Sequence, residues 1–173
     1  MNYYPQRDGR FEDLESRATT ESLLVQDRLK GSRVVKAFNN IDQFHLQFGA
    51  RPAGDASRWA LPIAGDDAEA KAAVVKFVDA IGFDTADTGS LADSWRFQPN
   101  TPAYCKPYIG ELPKTEDVDE LYEWVQNDHS RVVKVADILG LVTAATTADP
   151  VSKEANVPVS YLALFGRVPE PKS

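Results

Sequence analysis

The stretch that most constrains the fold is residues 59–89. Residues 59–64 are an apolar run typical of a short buried strand, and residues 66–69 have the form of a helix capping box. Apolar side chains then recur with helical spacing, at Val74, Phe77, Val78 and Ile81. Gly82 stands where a left-handed C-cap is expected, and residues 83–87 are the next predicted strand. The pattern predicts a βαβ unit, with two parallel strands joined by a right-handed crossover.

Three elements are predicted before this unit. Residues 2–9 form a loop that contains Pro5. Thr19 or Thr20 caps a helix that runs to about residue 30. Residues 33–38 predict a strand whose weak alternation is typical of strands that are covered on both faces.

After the unit, residues 90–97 predict a short helix and residues 105–114 a linker. Thr115 is the expected cap of a helix with one apolar face, formed by Val118, Leu121, Tyr122 and Val125. Ser130 is the expected cap of a second, with Val132, Val135, Ala136 and Leu139 on one face and Gly140 after it. The two helices predict an αα-hairpin. A tail with several prolines follows from about residue 149.

Charge and composition limit the classes of partner. Lys and Arg number 19 and Asp and Glu 26, which gives a net charge of -7. An acidic surface repels phosphate backbones, so we expect no nucleic-acid partner. No apolar run is long enough to span a bilayer, and the first residues do not form a signal region. We therefore expect a soluble cytoplasmic protein.

The reactive side chains are few. Cys105 is the single cysteine, so an internal disulfide is excluded, and with His45 and His129 far apart in the sequence a metal site is not expected. His45 is better explained as a packed or partly exposed histidine than as a catalytic one. Lys106 could lower the pKa of the Cys105 thiol, although nothing else resembles a nucleophile site.

Polar residues follow each predicted strand, at Asn39–Asn40, Gly65–Asp66 and Thr88–Gly89. In parallel α/β sheets, ligands bind at the carboxyl ends of strands, which here predicts a small-molecule site. The amides of Asn39 and Asn40 can donate and accept hydrogen bonds together. The alternative for Asn40 is a helix cap, since Gln43 follows three residues later, and a cap is the favoured interpretation of Asp66.

Four stretches in this order resemble one family: NYYPQRDG (2–9), RVVKAFNN (33–40), LPIAGDD (61–67) and LADSWRFQPNTP (91–102). They are similar to the NADPH-dependent coenzyme F420 reductases, also called F420-dependent NADP oxidoreductases. The resemblance covers residues 1–108 and implies an α/β, Rossmann-like domain with a mainly parallel sheet. Residues 109–173 are then an α-helical extension.

The resemblance implies hydride transfer between NADP(H) and the deazaflavin coenzyme F420. It places Asn39, Asn40 and Ile41 on the deazaflavin side of the cleft, and Asn2 and Pro5 near the nicotinamide ribose. No catalytic acid or base is required, because the cofactors carry the chemistry.

The segment after the third strand completes the implied site. There, the resemblance implies that Asp93, Ser94 and Trp95 close the cleft over the two rings. These three residues and the five named before them are the expected cofactor-binding set.

The dinucleotide-binding half of such an enzyme has no counterpart in this sequence. Neither GxGxxG nor GxxxxGK occurs, so no phosphate-cradling turn is predicted. We therefore expect the chain alone to be inactive. The alternatives are a non-catalytic remnant, a protein-interaction module and one half of a split enzyme. Residues 33–38 would then have an uncovered strand edge, weakly protected by Lys36, which predicts a homodimer or a separate N-terminal half as partner.

Overall fold

A computed structural model describes residues 2–127, 132–146, 161 and 163–166. Its strands are β1 (Val35–Lys36), β2 (Ala60–Gly65) and β3 (Asp84–Asp87). Its α-helices are α1 (Pro5–Asp8), α2 (Glu12–Glu15), α3 (Glu21–Arg28), α4 (Gln43–Phe48), α5 (Ala68–Ala80), α6 (Lys106–Ile109), α7 (Val118–Asn127) and α8 (Val135–Ala144). Two 3-10 helices are η1 (Leu91–Phe97) and η2 (Ala163–Gly166).

The three strands form one sheet in the order β1-β2-β3. β2 and β3 are parallel, with Ala60 opposite Asp84, as the βαβ pattern predicted. β1 is antiparallel to β2, with Val35 opposite Gly65. The expectation of a mainly parallel sheet is therefore correct only for the β2–β3 pair, and the fold is mixed α/β.

The helix between the parallel strands begins and ends close to its predicted limits. Its N-cap is Asp67, whose Oδ1 accepts a hydrogen bond from the Ala70 amide at 2.8 Å, so the prediction of Asp66 as the cap is wrong by one residue. Gly82 adopts φ +98°, and the bond from Phe83 N to Val78 O completes a Schellman motif.

The helix α5 covers the sheet less than its apolar pattern predicted. Val78 is the one fully buried residue of α5, while Val74 and Ile81 pack against the core only partly. Phe77 is 55% exposed and meets Phe38 edge-to-face, with ring centroids 6.0 Å apart.

Two hydrophobic clusters hold the fold together. The first surrounds β2, all six of whose residues are buried, and includes Trp59, Phe83 and Phe97. The second joins α4, α6 and α7 through Phe44, Ile109, Leu121, Val125 and Tyr161. At roughly 25 cal/mol for each Å² of apolar surface removed from water, this burial is the main favourable contribution to folding.

The two predicted C-terminal helices belong to different clusters. Leu121 of α7 packs in the second cluster, whereas Ile138 of α8 packs with β2 and β3 in the first. The two helices therefore each pack in a different hydrophobic cluster, and not on each other as expected of a helical hairpin. Asp117, not Thr115, caps α7 by accepting from the amides of residues 119 and 120. Ser130, the predicted cap of the second helix, lies outside the described residues.

The predicted linker contributes to the core. Residues 106–109 form α6, in which Tyr108 and Ile109 are buried. The Tyr108 hydroxyl donates to the carbonyl of Ala60 at 2.8 Å and so ties α6 to the first residue of β2. At the N-terminus, the predicted loop contains α1, with Pro5 in its first turn.

In the part of the chain that the structure describes, no helix combines the length and the apolar character needed to cross a bilayer.

Candidate functional site

The strand direction divides the predicted site into two places. Since β1 is antiparallel to β2, its carboxyl end lies beside the start of β2: the Tyr108 hydroxyl bonds to both Asn40 and Ala60. The carboxyl ends of β2 and β3 meet at the other edge, where the Gly65 amide donates to the carbonyl of Gly89 at 3.0 Å. The polar residues after the three strands therefore do not converge on one edge.

At the β1 end, two of the predicted residues pair through their amides. Asn2 Nδ2 donates to the carbonyl of Asn39 at 2.9 Å, and Asn39 Nδ2 donates to Asn2 Oδ1 at 3.1 Å. Asn39 Nδ2 also donates to the carbonyl of Phe97, at 2.9 Å. Tyr104 lies alongside, with its hydroxyl 3.3 Å from Asn2 Nδ2 and 2.8 Å from that of Tyr4. The pairing joins segments 37 residues apart.

Asn40 is fully buried, and its side chain joins two parts of the chain inside the protein. Its Nδ2 donates to the carbonyl of Ala103 at 3.0 Å and to the Tyr108 hydroxyl at 3.1 Å. It does not cap the next helix, because Asp42 Oδ1 accepts the Phe44 amide there. The oxygens Oδ1 of both Asn39 and Asn40 are buried without a hydrogen-bond partner among the described residues.

The other predicted residues differ in how accessible they are. Ile41 is 7% exposed and belongs to the cluster around β2. Pro5, in the first turn of α1, is half-buried. Ile41 thus supports the fold, while Pro5 and Asn2 reach the surface.

The segment after β3 presents three faces, because side chains three residues apart align in a 3-10 helix. Ser94 and Phe97 of η1 point inward, and the carbonyl of Ser94 accepts a hydrogen bond from Lys36 Nζ at 3.0 Å. Asp93 and Arg96 share a second face, with Arg96 Nε 3.7 Å from Asp93 Oδ1.

Trp95 lies on the third face of η1, and both neighbouring guanidiniums are close to its ring. The Arg96 guanidinium carbon lies 4.6 Å and that of Arg17 5.0 Å from the ring centroid, within cation–π range. The residue is half-buried.

A cavity of about 430 Å³ opens at the carboxyl end of β3. Its lining residues are Asp87, Thr88, Asp93, Arg96, Leu139, Val142 and Thr143. Arg96 Nη1 donates to the carbonyl of Ala145 at 3.1 Å, and Asp93 Oδ2 accepts from the Ser90 hydroxyl at 2.8 Å. These contacts hold a donor and an acceptor beside apolar side chains of α8, a combination typical of a small-ligand site. Two predicted residues line it: Asp93 of the expected cofactor-binding set and Thr88, which follows the third predicted strand.

A buried polar group that the sequence did not indicate lies in the second cluster. His45, predicted to be packed or partly exposed, is 2% exposed, and its Nδ1 lies 2.6 Å from Asp42 Oδ2 and 3.1 Å from the Tyr161 hydroxyl. Burial acts to raise the pKa of Asp42, but the bonds and charge of His45 outweigh it, so that pKa is lowered.

Burial and the Asp42 charge raise the pKa of the Cys105 thiol to about 12, so the expected lowering by Lys106 is wrong.

The described side chains contain no group suited to a metal ion, and the turn after β2 does not suit a pyrophosphate. No group of three or more His, Cys, Asp or Glu side chains suited to a metal ion occurs among the described residues. The N-terminus of α5, which follows β2, carries Asp66, Asp67 and Glu69. Carboxylates there occupy the positive end of the helix dipole and repel phosphate, so this turn does not suit the pyrophosphate of NADP.

The comparisons with known proteins cover part of the chain. No family model matches the sequence. Over 54 residues it is 44% identical to "putative protein YjhV" of Escherichia coli (strain K12); the match covers 31% of this chain and only 39% of that relative's length. Among solved structures it is similar to a "putative F420 dependent NADP-reductase" from Arthrobacter sp. FB24, with 25% identity and a TM-score of 0.38. That overlap covers 44% of this chain and 34% of the other, less than half of either.

Proposed function

We propose that this chain takes part in hydride transfer between NADP(H) and coenzyme F420 and contributes the deazaflavin side of the site. The observation that carries the proposal is the cavity at the carboxyl end of β3, bordered by the η1 segment that the family resemblance places at the cleft. The transfer of hydride between the nicotinamide and deazaflavin rings is chemistry that the cofactors supply.

The residues around this cavity match the chemistry of a deazaflavin ring. Such a ring has an apolar face and an edge that carries both carbonyl groups and an N–H. Val142 and Leu139 offer apolar contact, Arg96 offers a donor, and Asp93 offers an acceptor. In the proposal, Trp95 and Arg96 hold the mouth of the cavity in shape by stacking on each other.

The amide cluster at the β1 end has a positioning role in the proposal. Asn39 bonds to the last residue of η1, Phe97, and thereby fixes the helix that carries Asp93. Asn40 and Ile41 are too deeply buried to contact a ring directly. In the proposal, they hold the backbone next to Asn39 in place. Asn2 bonds to Asn39 at the β1 end, away from the cavity at the carboxyl end of β3, so the proposal gives Asn2 the same positioning role. The contacts of Asn2 and Pro5 with the nicotinamide ribose that the resemblance implies are not part of the proposal.

Equilibrium binding tests the proposal directly. We expect coenzyme F420 to bind the purified chain, with its binding followed by fluorescence, and NADPH to bind weakly in calorimetry because a phosphate-cradling turn is missing from the sequence. Tight NADPH binding with turnover by this chain alone would contradict the second expectation. Absence of any F420 binding would favour a non-catalytic or interaction role.

A pair of substitutions on α8 locates the site. Thr143 lines the cavity and Ala144 is its exposed neighbour outside it. We expect Thr143→Trp to fill the cavity and weaken F420 binding by about tenfold or more, and Ala144→Trp to leave it unchanged. Equal effects of the two variants would show that the ligand binds elsewhere.

A further inference from the structure

A second cavity, of about 650 Å³, lies between α1, α2 and α3, away from the proposed deazaflavin site. Its walls include Tyr3, Phe11 and Leu14 on one side and Leu24, Arg28 and Leu29 on the other. The volume falls in the range of small-molecule sites, and most of the lining is apolar. We call it the N-terminal groove.

The first wall of the groove is held in place by one hydroxyl group. Tyr3 Oη donates to the carbonyl of Gly9 at 3.1 Å and accepts from the amide of Phe11 at 3.0 Å. The rings of Tyr3 and Phe11 then meet edge-to-face with centroids 6.0 Å apart. This wall is therefore preorganised, which reduces the entropic cost of binding.

The second wall exposes large apolar side chains to water. Leu24 is 39% and Leu29 48% exposed, and Phe11 across the groove is 51% exposed. α3 is held to the rest of the fold at its other end, where the Thr20 hydroxyl donates to the carbonyl of Leu91 at 2.9 Å. Apolar side chains grouped around one cavity mark a binding site more often than a plain surface.

The charged neighbour of Arg28 at the groove is Asp27, which is itself paired with Lys30 at 2.6 Å. Glu21 lies buried in the floor, where Lys36 Nζ is 3.6 Å from its Oε2. At the rim, Arg7 is paired with Asp8 at 2.6 Å. Arg28 forms no hydrogen bond or ion pair with any other residue that the structure describes, in a chain whose net charge is -7. A local positive charge beside an apolar groove favours an anion with an apolar body.

We infer that the N-terminal groove binds a carboxylate that carries an apolar chain, with the chain between Phe11 and Leu24 and the carboxylate at Arg28. This site is separate from the proposed deazaflavin site. A guanidinium can hold a carboxylate through two parallel hydrogen bonds, which fixes the head group while the apolar walls exclude water from the chain.

Calorimetric titration with decanoate tests the inference, with decanol as the uncharged probe. We expect decanoate to bind, and we expect the affinity for decanol to be lower by a factor of about five or more. Leu24→Glu places a like charge in the groove and should abolish decanoate binding. Val75→Glu is the matched control, because Val75 is a 37% exposed valine on α5 outside the groove, and it should have no effect.

A second pair of variants isolates the head group. We expect Arg28→Gln to weaken decanoate binding by about fivefold or more without affecting decanol, and Arg28→Lys to retain most of the affinity. Equal binding of decanoate and decanol, or no response to Arg28→Gln, would overturn the assignment of the carboxylate. Failure of decanoate to bind, or a dimer in sedimentation that Leu24→Glu dissociates, would show that the groove is not a site for this ligand.

Discussion

Lys36 and Glu21 form an ion pair inside the protein, with Lys36 Nζ 3.6 Å from Glu21 Oε2 and both side chains almost fully buried. The ammonium also lies 5.2 Å from the centroid of the Phe97 ring, within cation–π range. With its amide nitrogen turned toward the carboxylate, Gln98 donates to both Glu21 oxygens, at 3.1 and 2.9 Å. The prediction that Lys36 weakly protects the strand edge is therefore wrong, because its side chain points into the core.

Removing either partner of this pair should destabilise the fold strongly. Lys36→Met leaves the Glu21 carboxylate buried without its counter-charge, and we expect a loss of about 3–5 kcal/mol in the free energy of unfolding. The double variant Lys36→Met/Glu21→Met should lose less than the sum of the single variants, because it leaves no unpaired charge. Urea unfolding of the four proteins measures the coupling. Strict additivity would contradict a direct interaction.

The same pair predicts a pH dependence. Burial lowers the pKa of Lys36 below its ordinary value of 10.5, and Glu21 offsets this only in part. The unfolded chain then binds more protons than the folded protein in the alkaline range below 10.5, so the contribution of Lys36 to stability rises with pH there. We expect the stability difference between wild type and Lys36→Met to grow as pH is raised from about 8 to about 10. A constant difference would contradict the lowered pKa.

Substitution of the buried arginine Arg58 should destabilise the fold. Although only 3% exposed, it donates to Asp84 at 2.9 Å and to Asp79 at 2.7 Å, and it also reaches the carbonyl of Phe83 at 2.6 Å. The Asp79 and Asp84 carboxylates are 64% and 42% exposed, so water can solvate them in Arg58→Ala, whereas the buried Phe83 carbonyl loses its donor and the buried side chain leaves a cavity. We expect a loss of about 2–4 kcal/mol in thermal or urea unfolding. Arg58→Lys should not restore it, because an ammonium cannot reproduce the planar fork.

Arg33 provides the matched control for Arg58. It also pairs with two carboxylates, Asp67 at 3.4 Å and Glu69 at 2.8 Å, but its side chain is 58% exposed. Water competes for such pairs, so Arg33→Ala should change stability by less than about 1 kcal/mol. Similar losses for the two arginines would show that burial is not the deciding factor.

Two glycines should respond oppositely to alanine. A Cβ at Gly49 would lie 2.5 Å from both the His45 carbonyl and Cζ3 of Trp59, so Gly49→Ala should cost about 1–3 kcal/mol or more. Gly140 lies inside α8, and a Cβ there meets nothing within 4 Å. Gly140→Ala should therefore stabilise the protein by about 1 kcal/mol, since alanine favours helix. Differential scanning calorimetry distinguishes the two, and destabilisation by Gly140→Ala would contradict the open position.

Local patterns made the central unit predictable. The apolar run of β2, the helical spacing of residues 74–81 and the glycine at 82 are all encoded within a few residues. The direction of β1 is not encoded in this way, because the same apolar pattern suits a strand in parallel and in antiparallel pairing. The mixed sheet therefore could not be derived from residues 33–38, and the separation of the two strand-end sites followed from it.

The site was less predictable because its contacts are distant in sequence. Asn40 bonds to the carbonyl of Ala103, 63 residues away, and such a partner leaves no local signal. Asp42 and Asn40 are both plausible caps by residue type, and tertiary packing selects Asp42. The family resemblance grouped Asn2 and Asn39 as cofactor-binding residues, which stays a prediction, and it did not predict the direct hydrogen bonds between them.

The edge of the sheet yields the last prediction. β1 is the first strand of the sheet order, and Val35 is only half-buried. The Gln26 side chain accepts the Val34 amide at 2.8 Å and so satisfies one edge group beside Val35. If the remaining edge pairs with a second copy or a strand of another chain, Val35→Lys should reduce association in sedimentation velocity while lowering the free energy of unfolding by about 1 kcal/mol or less. Val75→Lys on exposed α5 adds the same charge elsewhere and should leave association unchanged. A monomeric parent chain combined with marked unfolding of Val35→Lys would contradict the edge-pairing proposal, because it would mean that Val35 is already covered.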